Sequence, residues 1–232
     1  MLCLIPALGI VRLMVRSSNP AVRTLLIERA ARMLRHREPI TLRSLVDGTG
    51  VSTMAVYTHF GGLDGLWRAL RQEGFTRLAA SLSTVTLSTD PVRDLTAVVV
   101  AYVQNALQHP DLYRVMFDAT FDLEDFRASE DTLEYFVRAA ERGVQSGRFR
   151  PEIVPLDLAT ESWILGHGLV SLVAGGPLPP TTLEFGAPML TALYTAAGDD
   201  LDRCQASVQR SWSALSPRST DVDERRANPV GE

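Results

Sequence analysis

The residues whose types and spacing could do chemistry gather in PITLRSLVDGTGVSTMAVYTHF, between Pro39 and Phe60. Hydroxyls at Thr41, Ser52, Thr53 and Thr58, the Arg43 guanidinium, the Tyr57 phenol and the His59 imidazole alternate there with Leu42, Leu45, Val46, Val51 and Val56. Such a set hydrogen-bonds and carries positive charge. That is the chemistry of base edges and phosphates rather than of bond cleavage. Thr53, Met54 and Ala55 are the candidates for bases, the latter two offering apolar contact to a thymine methyl, and Ser52 and Thr58 face outward with them. Arg43 can reach a guanine edge or a phosphate, and Thr41, Tyr57 and His59 suit the phosphate backbone.

To act together these groups need two short helices set at a fixed angle. Thr41 can cap the first, Gly50 can take the left-handed turn conformation, and Ser52 can cap the second, which runs through Tyr57 to Phe60. Val51 and Val56 point inward and hold the pair together. The result is a helix-turn-helix, whose second helix enters a major groove by its N-terminal residues. Before it, Val22, Leu25, Leu26, Ala30 and Met33 give Pro20 to Arg35 the spacing of an amphipathic helix. After Gly61 and Gly62, a further helix carries Leu63, Leu66, Trp67, Leu70 and Leu78 on one face.

The run from Arg23 to Leu78, above all GVSTMAVYTHF followed by a leucine-rich helix, resembles the DNA-binding domain of TetR-family transcriptional repressors. That resemblance implies that Tyr57 and His59 touch phosphate and that the chain works as a homodimer on a palindromic operator. One departure is Leu63, which stands where such domains often open the next helix with a lysine. Val46 similarly replaces a common alanine.

Charge is divided to match. Residues 1–80 hold eleven arginines against five acids, a net of +6, whereas residues 81–232 hold twelve against twenty-two, a net of −10. Phosphate is therefore expected at the first part. Two cysteines, Cys3 and Cys204, form no disulfide framework or zinc spacing, so a reducing cytoplasm is expected. The apolar opening MLCLIPALGIVRLMV lacks a charged leader and a cleavage site, and reads as an extension rather than an export signal. No apolar run reaches the ~20 residues of a membrane span.

The expected organisation is all-α: an N-terminal extension (1–18), a helix-turn-helix domain (19–80), a ligand-binding and dimerisation bundle (81–198) and a polar tail (199–232). Helices are expected over 91–108, 110–118, 123–146, 156–174 and 181–197, with a possible short one at 201–215. No catalytic motif, P-loop or dinucleotide fingerprint occurs, so neither an enzyme nor a cofactor is expected. The acidic residues Asp118, Asp122, Glu124 and Asp125 read as a solvated loop rather than a metal site. Tyr102, Met116, Phe117, Phe121, Tyr135, Trp163 and His167 are the candidates for an apolar pocket within the bundle. Trp163 and His167, in ESWILGHGLV, also resemble the WHG domain of one branch of TetR-like regulators. The helix holding them is apolar around most of its circumference. Leu183, Gly186, Ala187, Leu190, Leu193, Tyr194 and Ala197 are expected to add a second face of a four-helix dimer interface. The function expected is a homodimeric repressor released from double-stranded DNA by a small apolar or aromatic effector; the alternative is a small-molecule binding protein whose helix-turn-helix no longer binds DNA.

Overall fold

The computed structural model describes residues 19–118, 120, 122–125 and 127–215. The N-terminal extension, Phe121 and the end of the tail lie outside the described residues. The described residues are helical, with no strand among them, and they form two compact units that divide between Leu66 and Trp67.

The first unit holds α1 (Pro20–Arg35), α2 (Leu42–Val46), α3 (Thr53–Phe60) and the opening turn of α4 (Leu63–Ser83). Pro20 sits in the first turn of α1, and the Asn19 side chain accepts the Ala21 N–H at 3.0 Å, satisfying one of the helix's orphan donors. Leu26, Ile27, Ala30 and Met33 form the buried stripe of α1, and Leu45, Val56, Phe60 and Leu66 meet them from the other helices. Arg29 reinforces this core by donating from Nη2 to the Ser44 carbonyl at 3.0 Å, which ties α1 to α2.

The second unit is built around α5 (Pro91–Gln108). Val92, Leu95, Val98, Val99, Tyr102, Val103 and Ala106 bury it on nearly every side, the pattern of a central helix rather than an amphipathic one. Against it pack α6 (Pro110–Met116), α7 (Arg127–Gln145), α8 (Pro155–Val173) and α10 (Leu201–Trp212), while α9 (Gly186–Ala196) lies between α8 and α10. Asp90 caps α5 through the N–H groups of Val92 and Arg93.

A buried ionic knot joins the ends of these helices. The Arg148 guanidinium donates to both carboxylate oxygens of Asp199, at 2.7 and 2.6 Å, and to Asp90 Oδ1 at 2.7 Å. Ser207 donates to the second Asp90 oxygen at 2.6 Å, and exposed Arg203 adds a contact to Asp199 at 2.9 Å. A sister pair, Arg142 with buried Asp94, holds the loop before α5 by way of Ser88.

The structure departs from the sequence reading in four places. The units divide at Leu66, within the opening of α4, whereas the boundary was expected near residue 80; α4 continues to Ser83, into the Ser/Thr-rich patch. The short helix expected at 201–215 forms as α10, but it does not belong to a polar tail: its Cys204, Val208 and Trp212 are part of the core. The single helix expected over 181–197 is a 3-10 helix (Pro180–Phe185) followed by α9. The physical reason is Pro188, which has no N–H to donate and fits only the first turn of a helix, so α9 starts afresh at Gly186; Trp212 packs at this junction, its Nε1 donating to the Leu183 carbonyl and its ring occupying the place of a side chain at Gly186. Finally, Gly186, Ala187, Leu190, Tyr194 and Ala197, expected at a dimer interface, are buried within the chain itself.

Candidate functional sites

In the first unit, a capping box fixes the start of α2: the Thr41 hydroxyl accepts the Ser44 N–H at 3.1 Å and Ser44 Oγ accepts the Thr41 N–H at 2.9 Å. Asp47 leaves helical geometry. Gly50 then adopts φ +72°, in the left-handed region where a side chain is strained, and the chain reverses into α3. Ser52 takes the extended backbone of an N-cap, but its side chain makes no capping bond, contrary to the expected role. The Ser52 backbone still takes part, its carbonyl accepting the Ala55 N–H at 2.9 Å.

The burial of α3 alternates with its turns. Val56 and Phe60 are buried, whereas Ser52, Thr53, Met54, Tyr57 and Thr58 are exposed, Met54 by 66% and Tyr57 by 50%. A methionine and a tyrosine so exposed on one short helix give it a largely solvent-facing surface. Ala55 and His59 are half-buried, and Arg43 and Thr41 on α2 are exposed. Thr58 spends its hydroxyl proton on the Met54 carbonyl at 2.9 Å, leaving only its acceptor lone pairs for a partner. Gly65 permits a close approach of backbone to backbone: a Cβ there would run into the Phe60 carbonyl oxygen. Half-buried Leu63 opens α4 two residues earlier.

The second unit contains a cavity of about 260 Å³ lined by Arg71, Phe75, Leu78, Tyr102, Phe117, Ser129, Thr132, Leu133, Phe136 and Trp163. A smaller one of about 220 Å³ is lined by Tyr113, Arg114, Phe117, His167, Ser171, Ala174 and Gly175. Phe117 contributes to both, and its ring stands edge-on to His167 with centroids 4.4 Å apart.

Beside Phe117 sits a polar cluster. The Tyr102 and Tyr113 hydroxyls lie 2.8 and 2.7 Å from His167 Nδ1, Tyr102 donates to Tyr113 at 3.3 Å, and Ser171 Oγ is 3.0 Å from the Tyr113 oxygen. One assignment satisfies every group: Tyr113 donates to Nδ1 of a neutral imidazole, and Tyr102 and Ser171 donate to the Tyr113 oxygen. Burial lowers the His167 pKa. It raises that of Tyr102, with the neighbouring Tyr113 adding to the rise, and raises that of Tyr113 against the hydrogen bonds of Ser171 and Tyr102. All three are therefore held neutral. In this tautomer Nε2 keeps the imidazole proton.

Among the residues expected at a pocket, Tyr102, Phe117 and Trp163 line the larger cavity and His167 the smaller. Met116 is buried and fills the space beside Gly74 instead, and half-buried Tyr135 lines neither cavity. Sequence reasoning missed Arg71, Phe75 and Leu78 as pocket residues because it placed the domain boundary near residue 80, close to the end of their helix. Ser129, Thr132, Leu133 and Phe136 were missed as well, although Ser129, Thr132 and Phe136 follow the i, i+3, i+7 spacing of one face of α7.

Residues 95–204 match the model of the tetracyclin repressor-like C-terminal domain. The chain has the TetR-family fold. Among solved structures it is similar to a protein of unknown function from Rhodococcus sp. RHA1, at 23% identity and TM-score 0.66, covering 80% of this chain and all of that one. It is also similar to the TetR family protein CprB from S. coelicolor A3(2), at 19% identity and TM-score 0.63, over 86% of this chain and all of that one. A third similar structure is RolR in complex with resorcinol, at 14% identity and TM-score 0.56, over 82% and 94%. No curated protein matches the chain in sequence. TetR regulators combine a helix-turn-helix with a second helical bundle, and the two units here have that architecture. No helix among the described residues is long and apolar enough to cross a membrane.

Proposed function

We propose that this chain is a cytoplasmic, homodimeric DNA-binding repressor, released from a palindromic operator by a small apolar or aromatic effector. The observation that carries the reading is the exposed face of α3, with Met54 and Tyr57 in solvent while Val56 and Phe60 anchor the helix from behind. Thr53, Met54 and Ala55 would meet base edges, with Arg43 beside them, while Thr41, Tyr57 and His59 would meet phosphate. Ser52 would offer its hydroxyl to a phosphate oxygen, since no capping bond engages it, and the arginine-rich character of residues 1–80 favours the same partner.

Dimerisation is supported by apolar residues left in solvent on the second unit. Ile164 and Leu172 on α8, and Phe185 and Met189 at the start of α9, are each more than two-fifths exposed. A patch of this kind on a folded chain marks a contact surface. A two-fold pair would present two α3 helices to adjacent major grooves, whose spacing is about 34–36 Å. The effector would occupy the cavity whose wall includes Arg71, Phe75 and Leu78 of α4, the helix that begins directly after α3 and its glycine turn. RolR, with the same fold, holds an aromatic diol. A coupling of about 1–3 kcal/mol would weaken operator binding roughly 5–150-fold.

The test is a mobility shift with DNA from upstream of the chain's own gene, against random duplex, over a salt series. The reading expects a salt-dependent preference that Tyr57→Ala and Arg43→Ala each weaken while the fold persists. No preference at any salt concentration would leave a small-molecule binding protein as the better account.

A further inference from the structure

We infer that the smaller cavity of the second unit binds a small uncharged aromatic carbonyl compound, whose oxygen accepts the Nε2–H of His167. The site is separate from the effector cavity proposed above and shares only Phe117 with it. The Tyr113 hydroxyl claims Nδ1 of His167 at 2.7 Å, and Tyr102 stands 2.8 Å from the same atom, so the proton of the neutral ring sits on Nε2. Among the described residues nothing accepts that proton, while Tyr102, Tyr113 and Ser171 are all engaged with one another or with Nδ1. Nε2 is not sealed in the interior either, since the half-buried ring lines the cavity and leaves that atom open to solvent. A free N–H at a cavity wall is matched by a ligand that accepts.

The rest of the wall narrows the ligand's class. Phe117 stands edge-on to His167, with centroids 4.4 Å apart and planes at 71°, and the two rings form a corner against which a flat ring can lie. None of the described residues lining the cavity is acidic, so nothing there pairs with an ammonium. Arg114 is exposed, its Nη2 donating to the Gly175 carbonyl at 3.0 Å, and water screens its charge. The surroundings resist charge of either sign: burial lowers the pKa of His167 and raises that of Tyr113, the latter against the hydrogen bonds of Ser171 and Tyr102. An oxyanion is thus disfavoured even on the residue next to Arg114, and a ligand carboxylate would meet the same surroundings. An uncharged carbonyl takes the donor without burying an ion. A volume of about 220 Å³ falls below the ~300 Å³ at which drug-sized sites begin, which suits a single ring.

Ligand-observed NMR titration of the full chain at about pH 8, above the ordinary imidazole range, tests this with four probes that share a benzene ring: acetophenone, ethylbenzene, benzoate and benzylamine. Acetophenone is expected to bind roughly 2–10-fold more tightly than ethylbenzene, the range of one neutral hydrogen bond, and more tightly than either charged probe. His167→Phe keeps a ring, and the Tyr113 hydroxyl, 3.4 Å from the backbone carbonyl of residue 167, keeps an acceptor; this variant should bring acetophenone down to the affinity of ethylbenzene. Ser171→Phe, at an exposed position lining the cavity, should exclude acetophenone, whereas Leu133→Trp, which fills the larger cavity, should leave its affinity unchanged. Isotope-edited spectra of the imidazoles should show His167 protonated on Nε2, with that signal moving when acetophenone is added. The inference is overturned if none of the probes binds, if any of the other three binds as well as acetophenone, if Nδ1 carries the proton, or if acetophenone survives Ser171→Phe. In that last case, loss of binding with Leu133→Trp would assign the ligand to the larger cavity and leave the effector reading intact. Should His167→Phe fail to fold, the wild-type panel, the imidazole spectra and Ser171→Phe still decide.

Discussion

Arg148→Met is expected to be among the most damaging single substitutions in the second unit. Its side chain is only 8% exposed and Asp199 is fully buried. The guanidinium makes two parallel bonds to Asp199 and one to Asp90. Removing it leaves the Asp199 carboxylate in the interior with only the Asp200 N–H, at 3.0 Å, and Arg203, whose side chain is 54% exposed and therefore screened. Breaking a buried pair by deleting one partner costs about 3–5 kcal/mol. At about 2–4 °C per kcal/mol for a chain of this size, the midpoint should fall by roughly 6–20 °C. Asp199→Leu alone should cost a similar amount, because Arg148 then keeps only Asp90 and the Ser207 hydroxyl as partners. The double variant Arg148→Met with Asp199→Leu should recover most of the loss, since an apolar pair of similar volume replaces two charges. Denaturant unfolding followed by helical circular dichroism measures all three. Single variants within about 0.5 kcal/mol of wild type, or a double variant whose loss is the sum of the two, would refute the argument. The same knot fixes a pH dependence. Burial pushes the Asp90 carboxyl up, but the Ser207 hydroxyl, the Arg93 N–H and the Arg148 guanidinium together hold it below its ordinary value. Its contribution is thus present above about pH 4, the unfolded value, and lost as the pH falls.

His167 titrates in a higher window: burial lowers its pKa, so the unfolded chain takes up a proton first, and stability should drop as the pH falls through about 6.5. His167→Gln should flatten that slope in urea unfolding between pH 7 and 5, and an unaltered slope would contradict it. Gly65→Ala places a methyl against the Phe60 backbone, so the first unit should lose about 1–3 kcal/mol; an unchanged unfolding curve would show that α3 and the opening of α4 are not so close. Gly186→Ala meets the Trp212 ring and should shift the Trp212 fluorescence, whereas a spectrum like that of wild type would argue against their contact.

Much of the first unit could be read from residue types alone. Asn19, Pro20, Thr41, Gly50 and Gly61 are local signals whose geometry depends on a few neighbouring bonds, and the helices they bound stand where the spacing puts them. Ser52 was misread as a bonded cap because a hydroxyl at the right position does not decide whether it turns toward the helix. The second unit was legible in its helices but not in their faces. A helix apolar on two sides, such as α9, does not reveal which side its own chain covers. That is decided by α10 and Trp212, more than twenty residues later. The cavity was half legible for the same reason: Tyr102, Phe117 and Trp163 announce themselves as aromatics, but Arg71 becomes a wall only when α4 lies against its neighbours. The Arg148 knot joins positions up to 117 residues apart in sequence, and no local pattern points to it.

The central claim is a paired helix-turn-helix reader, and selection of bound sequences from a random duplex pool with the full chain tests it most directly. The account predicts enrichment of an inverted repeat with half-sites about one helical turn, or a multiple of it, apart, and loss of that enrichment with Tyr57→Ala. Recovery of a pool as random as the input, or of a single unrepeated half-site, would contradict it.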